Sequence, residues 1–357
     1  MSFYKGMDVS LAKTLEGLGA EYFLDGRKTD LFELLKECGT DLVRLRLWVN
    51  PYTDDGVSYG GGANDIATTI ELAHRVINAG MMFMLDFQYS DFWADPAKQT
   101  KPKAWKEYTG QELREQVYQY TKRVLYTLKD ENLIPSHVQV GNEITNGLLW
   151  PDGKSDNVED MALLLKAGAK GVREVMPDAR IILHLDFGTD NDLYSRWFSD
   201  IEPYGVDFDI IGMSYYPHWN GKLEDLRNNM TDMAVRFHKN VMVTETSIGY
   251  TTDPLGCNGM VFTESEEKMT GYPATKEGQK GVLSDRIRTV REIPDGRGEG
   301  VVYWEPAWLP IPECTWATEP GRRYMHDKVE AGNSNGNQAL FDAAGNANPA
   351  LLALSSM

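Results

Sequence analysis

Short runs of apolar residues alternate along this chain with longer stretches in which apolar positions recur every three to four residues. The first kind has the length of strands buried on both faces, the second the period of amphipathic helices. The strand-like runs read FYKGMDVS, DLVRLRLW, MFMLDF, HVQVGNE, RIILHLD, DIIGMSYY, VMVTETS and VVYWEP. Between them lie DLFELLKECG, DIATTIELAHRVINAG, ELREQVYQYTKRVLYTLKD, MALLLKAGAKGVREVMPD, DLYSRWFSDI, LEDLRNNMTDMAVRFHK and KEGQKGVLSDRIRTVREI. Several of these are expected to stop at Gly39, at Gly80 or just before Pro177, as helix C-termini do. Eight strands, seven intervening helices and a last helical piece near the C-terminus predict one domain over residues 1–357, an α/β fold of the (β/α)8 TIM barrel type. An open doubly wound sheet would normally carry a glycine-rich first βα turn, and GMDVS has none. The long irregular segments 49–64, 251–275 and 307–337 all follow strands, which assigns them to the C-terminal face of the barrel.

Composition narrows the partners. Acidic residues number 53 against 36 basic ones, a net charge of -17 that repels nucleic acid and anionic membranes. A neutral substrate suits that field, although solubility alone explains it equally well. No run is long and apolar enough to span a bilayer, and the opening MSFYKGMDVS has no basic segment or apolar core of a signal peptide. The chain is therefore expected to be cytoplasmic if Met1 is the native start, and extracellular if a signal peptide once preceded it. A monomer is expected. Three cysteines imply no disulfide framework: Cys38 reads as a small buried side chain, while Cys257 and Cys314 fall in loops where they could pair, though such loop cysteines are usually free.

In a barrel, polar residues at strand C-termini converge on one site. Here those ends carry Asp8, Arg44, Arg46, Asp86, Gln88, Asn142, Glu143, His184, Asp186, Tyr215, Tyr216, Glu245, Trp304 and Glu305. Any one could be a satisfied core polar group, but a full ring of them is costly to bury without a purpose. Glu143 and Glu245 each end an apolar run, and two carboxylates at one rim are what glycosidic cleavage requires, one as acid and one as nucleophile. Arg46 is expected to hydrogen-bond the nucleophile and keep it ionised, and Asn142 to donate to a sugar hydroxyl. A structural ion pair with Arg44 or Arg46 is the bland alternative for the glutamates. Trp48, Trp93, Trp105, Trp150, Trp219, Trp304, Trp308 and Trp316 crowd the same loops, and pyranose rings stack on indoles. Trp105 and Trp197 are expected to be packing, and Trp304 the stacking platform. No CxxC, HExxH, P-loop or GxGxxG pattern supports a metal or nucleotide.

Longer motifs make the pattern specific: KGMDVS, TDLFELLKECGTDLVRLRLW, LDFQYSDFWADPAKQ, PKAW, VQVGNEITNGLLWPDG, IGMSYYPHWNG, VMVTET, VVYWEPAW and NQALFD. Together they resemble glycoside hydrolase family 53, the endo-β-1,4-galactanases, in family order over nearly the whole chain. The resemblance implies Glu143 as acid/base and Glu245 as nucleophile of a retaining hydrolase acting on the β-1,4-galactan of type I arabinogalactan and its galacto-oligosaccharides. It implies that the loop Asp95, Pro96, Ala97, Lys98 and Gln99 lines the glycone side. Arg46, Asp86, Gln88, Trp93, Asp95, Lys98, Asn142, His184, Asp186, Tyr215, Trp304 and Trp308 make up the expected substrate-binding set. Two departures stand out. Gln88 occupies the position where family members usually carry a histidine, so restoring histidine is expected to raise kcat/KM by about tenfold at most, a charge-assisted hydrogen bond replacing a neutral one. Bacterial relatives often bind calcium in the loop after strand seven, but TTDPLGCNGMVFTESEEKMTGYP lacks closely spaced Asp and Asn ligands, so no cofactor is expected. Rival readings are another β-1,4-glycanase, on mannan or glucan, and a carbohydrate-binding protein whose catalysis has decayed.

Overall fold

The computed structural model describes residues 3–357; Met1, on which the expectation about the native start rests, lies outside them. Among the described residues eight parallel strands close into a barrel. They are β1 (Tyr4–Asp8), β2 (Leu42–Leu47), β3 (Met82–Phe87), β4 (His137–Val140), β5 (Arg180–Leu185), β6 (Ile210–Ser214), β7 (Asn240–Thr246) and β8 (Gly298–Trp304). Neighbours in sequence are neighbours in space, and β1 closes on β8 with Tyr4 opposite Gly300 and Asp8 opposite Trp304. Barrel helices return the chain between strands: α1 (Leu31–Glu37), α2 (Ile66–Asn78), α3 (Gly110–Asp130), α4 (Val158–Val175), α5 (Asn191–Ile201), α6 (Leu223–Arg236) and α7 (Lys276–Arg291), with α8 (Pro349–Leu352) near the end.

Local chemistry starts and stops these helices. The side chains of Asp30, Asp65, Asn157 and Asp190 cap α1, α2, α4 and α5 by accepting from free backbone N–H groups. Beyond α1 the chain turns at Gly39 (φ 103°), where a Cβ would meet the Ser355 backbone at 2.7 Å. Only glycine lets the C-terminal segment pack there.

Two apolar layers result. A large one lies between strands and helices; a small one inside the barrel takes Leu42, Met84, Ile182, Ile210, Met242 and Val302 from six different strands. Period two then brings Arg44, Asp86, His184, Gly212, Thr244 and Trp304 to the next level on those strands. Polar chemistry is thus stacked on an apolar plug.

The connection between β1 and α1 and two of the segments expected to be irregular hold structure of their own. A helix (Ala12–Gly17) and a hairpin (Tyr22–Leu24 with Arg27–Thr29) intervene between β1 and α1. A helix at Glu264–Thr270 sits in the loop after β7, closed by a capping box between Thr263 and Glu266, and another at Glu319–Met325 follows β8, capped by Thr318. Both caps were present in the sequence but hidden by the absence of an apolar stripe. Cys38, Cys257 and Cys314 are all free and buried. No helix among the described residues is long and apolar enough to cross a membrane.

Candidate active site

β4 ends early, at Val140, and the residues beyond it turn sharply. Gly141 takes φ 81°, and a Cβ there would come within 2.6 Å of Ile144 Cγ2. Glu143 itself is left-handed, φ 47° and ψ 51°, a conformation a glutamate adopts only when its surroundings hold it there. On β7 a bulge does the same work. Met213 pairs with Val243 but Ser214 pairs with Glu245, so Thr244 is the extra residue and Glu245 is re-aimed. Both glutamates face one cleft of ≈ 570 Å³ at the C-terminal face of the barrel.

Their surroundings differ. Glu245 Oε1 is 2.7 Å from Arg44 Nη1, and its Oε2 accepts from the Tyr216 hydroxyl at 3.1 Å. Glu143 Oε1 stands 2.6 Å from Ser214 Oγ. Burial raises the Glu143 carboxyl well above the usual range, and the negative charges of Glu245 and Asp186 add to it. Burial also raises Glu245, but Arg44 and the Tyr216 hydroxyl oppose the rise. Of the two, Glu143 holds its proton more tightly.

The expectation that Arg46 serves the nucleophile is corrected: Arg44 does. Arg46 is spent on Glu305 at 2.5 Å, on the Gly61 carbonyl at 3.0 Å and on the Trp93 face, whose centroid lies 4.5 Å away. Tyr215 is corrected too. It turns outward, its hydroxyl donating to the Gly221 carbonyl and its ring 5.3 Å from Arg286, while Tyr216 faces the cleft. Asp86 and His184 are fully buried and stand behind the wall. Asp86 pairs with Arg44 at 2.9 Å, and His184 Nδ1 is 3.0 Å from Asn142 Oδ1.

Gln88, Trp93, Asp95, Lys98, Asn142, Asp186 and Trp304 do line the cleft. Trp304 is half-buried, with Trp93 6.2 Å and Trp308 5.9 Å from it between ring centroids. Trp308 also lines the cleft, but at 0% exposure it backs the Trp304 platform more than it offers a face of its own. Trp219 and Trp316 reach the cleft; Trp48 and Trp105 are buried, as is Trp197, and Trp150 bonds to the Asn146 carbonyl outside it. Within the loop after β3, Asp95 to Lys98 line the cleft, whereas Gln99 is buried and anchors the loop by donating to the Asn142 carbonyl at 2.8 Å. Lys98 pairs with Asp327 from the loop after β8.

Sequence reasoning passed over Ser214, Phe187 and the residues 334–338 side of the cleft. Ser214 could have been found from Tyr216, two positions on and therefore on the same face. The carboxylates after β7 are used locally: Glu266 caps Thr263, and Asp253 accepts from the Leu255 N–H. Among the described residues no three His, Cys, Asp or Glu groups converge as metal ligands would.

A pair of carboxylates in unlike surroundings, opposite indole faces at the mouth of a closed parallel barrel, is equipment for hydrolysing glycosides. Fold and cleft together define that class of enzyme. The family model described as Glycosyl hydrolase family 53 matches residues 4–354, and the chain belongs to that family. It is 40% identical over 353 residues to the "Uncharacterized protein in bgaB 5'region" of Niallia circulans, spanning 96% of this chain and 91% of that one. With the endo-beta-1,4-galactanase of Bacillus subtilis (strain 168) it shares 36% identity over 98% of this chain and 84% of the relative. The solved Ignisphaera aggregans GH53 catalytic domain matches with a TM-score of 0.93 at 37% identity, over 99% of this chain and 95% of that one.

Proposed function

We propose that this chain is a retaining endo-β-1,4-galactanase, with Glu143 as acid/base and Glu245 as nucleophile, acting on the galactan of type I arabinogalactan. One observation carries the assignment of roles: Arg44 and Tyr216 both donate to Glu245, while carboxylates crowd Glu143. The substrate rests on the relative from Bacillus subtilis named as an endo-beta-1,4-galactanase, and on the arabinogalactan endo-beta-1,4-galactanase of Cellvibrio japonicus, 35% identical over 86% of this chain.

In the first step Glu245 attacks the anomeric carbon as Glu143 passes its proton to the glycosidic oxygen, and the departing sugar leaves with that proton. Glu245 is then esterified. In the second step Glu143, now ionised, takes a proton from water; the water oxygen bonds to the anomeric carbon and Glu245 is released. Two inversions give retention. The Trp304 face orients the ring, and both steps draw on side chains alone.

Replacing each glutamate separates the roles. Glu245→Gln is expected to abolish turnover of every substrate. Glu143→Gln should still form the intermediate from an activated aryl glycoside, and azide should restore turnover with a retained product. Azide rescue of the Glu245 variant with a retained product, or of the Glu143 variant with an inverted one, would reverse the assignment. Faster digestion of mannan or glucan than of galactan would overturn the substrate.

A further inference from the structure

Behind Glu143 runs a chain of hydrogen bonds whose donors can be deduced one after another. Arg44 Nη2 can only donate, and it lies 2.7 Å from Asn142 Oδ1, while Asn142 Nδ2 donates to the Ala94 carbonyl at 2.8 Å. The Asn142 amide is thereby fixed with its oxygen toward His184, whose Nδ1 is 3.0 Å away. An acceptor faces Nδ1, so Nδ1 carries a proton. Burial first, and then the charge of Arg44, holds the fully buried imidazole well below its usual pKa and hence neutral. Its Nε2 is then bare and must accept from the Ser214 hydroxyl at 2.8 Å. Ser214 has one proton, and that proton is now used. The remaining short contact, 2.6 Å from Ser214 Oγ to Glu143 Oε1, closes only if the carboxylic acid of Glu143 donates to Ser214.

We propose that His184 and Ser214 are positioning residues that hold Glu143 in its acid form, by leaving Ser214 an acceptor as long as His184 Nε2 is bare. This deepens the proposed function and rests on Glu143 being the acid/base. When Glu143 gives its proton to the glycosidic oxygen, the Ser214 proton turns from His184 Nε2 to the new carboxylate, leaving Nε2 without a donor. When Glu143 takes a proton from water in the second step, Ser214 turns back and the bond to His184 is restored. No proton is gained or lost by His184. The ionised form of Glu143 thus always lacks one hydrogen bond that the acid form has. The other charged groups around Glu143 are Glu245 on β7, Asp186 after β5 and Asp95 after β3, and they favour the acid form as well.

Neutron diffraction from deuterated crystals reads the arrangement directly and needs no variant. The expected result is a deuteron on His184 Nδ1, none on Nε2, and one between Glu143 and Ser214 at acidic to neutral pH. A deuteron on Nε2, alone or with one on Nδ1, overturns the proposal. The pH profile of kcat/KM tests its consequence. His184→Leu frees the Ser214 proton for ionised Glu143, so the alkaline limb should move down by about one pH unit, the worth of one hydrogen bond. Ser214→Ala removes both neutral bonds of the acid form together with the charge-assisted bond to ionised Glu143, which is worth about two neutral ones, so it should leave the limb nearly in place. Equal downward movement in both variants, or none in His184→Leu, overturns the proposal. An enzyme that digests galactan with its proton on Nε2 sinks this inference alone, whereas one that digests no β-1,4-glycan sinks the proposed function and this inference with it.

Discussion

Gln88 sits at the cleft wall, yet its amide is consumed by its own protein. Oε1 accepts from Trp48 Nε1 at 2.7 Å and from the Ala94 N–H at 3.1 Å, and Nε2 donates to Asp86 at 3.2 Å. The sequence could not reveal this, because Trp48 comes from the end of another strand and Ala94 is brought back only by the turn of the loop itself. Histidine offers one acceptor nitrogen at most and cannot serve both donors, so one buried N–H would be left bare at a cost of about 1–3 kcal/mol. Gln88→His is therefore expected to lower kcat/KM on galactan and to lower the melting temperature, the reverse of the gain expected from the family position alone. Steady-state kinetics and calorimetry on the single variant check both, and an unimpaired histidine variant would show that the Trp48 and Ala94 contacts are dispensable.

At the scale of elements, the cleft depends on loops being tied to each other across the barrel mouth. The loop after β3 is pinned to the end of β4 by Gln99 and by Asn146, whose Nδ2 donates to the Pro96 carbonyl at 2.9 Å. It is tied to the loop after β8 by Lys98 and Asp327, both lining the cleft. Lys98 keeps about a third of its side chain exposed, so the pair contributes little to stability, on the order of 1 kcal/mol or less after solvent screening. Its value lies in holding two walls of the groove at one spacing. Lys98→Met is expected to raise KM for long galacto-oligosaccharides several-fold while leaving kcat and the melting temperature nearly unchanged. A large fall in kcat with KM unchanged would instead tie Lys98 to the reacting centre.

At the scale of the whole molecule, the floor of the barrel is held by a polar cluster opposite the cleft. Glu299 on β8 receives His137 Nε2 at 3.1 Å from β4, Arg180 Nη2 at 2.9 Å from β5 and Asn240 Nδ2 at 2.7 Å from β7. Burial pushes the Glu299 carboxyl up, but the His137 and Asn240 hydrogen bonds and the Arg180 charge outweigh it and leave it below the ordinary value. A depressed carboxyl stabilises the fold at every pH above its unfolded value, about 4.3, and that stability is lost as pH falls through the lower folded value. Glu299→Gln is therefore expected to cost about 1–3 kcal/mol at pH 7, and progressively less below pH 4 as the native carboxyl protonates in the wild type. Thermal unfolding at pH 7 and pH 3 measures the difference; a penalty as large at pH 3 as at pH 7 would mean that the charge of Glu299 is immaterial.

The barrel was legible because its signals are local. Strand runs, helix periods and capping residues each act within a few positions, and Glu143 and Glu245 stand where such runs end. The assignments that failed depended on which way a strand faces or on how deep in the barrel a residue sits. In DLVRLRLW and DIIGMSYY both faces are buried, so hydrophobicity cannot distinguish the barrel interior from the helix side. Arg44 and Arg46 point the same way, and only their depth in the closed barrel gives Glu245 to the first and Glu305 to the second. Tyr216 faces in and Tyr215 out because β6 continues the parity of Ser214. Glu245 faces in because of a bulge at Thr244 that only the pairing with β6 defines. The sequence determined the elements and the chemistry at their ends; closure of the barrel decided which side chains meet, since contact between residues far apart in the chain is a property of register and depth, not of local preference.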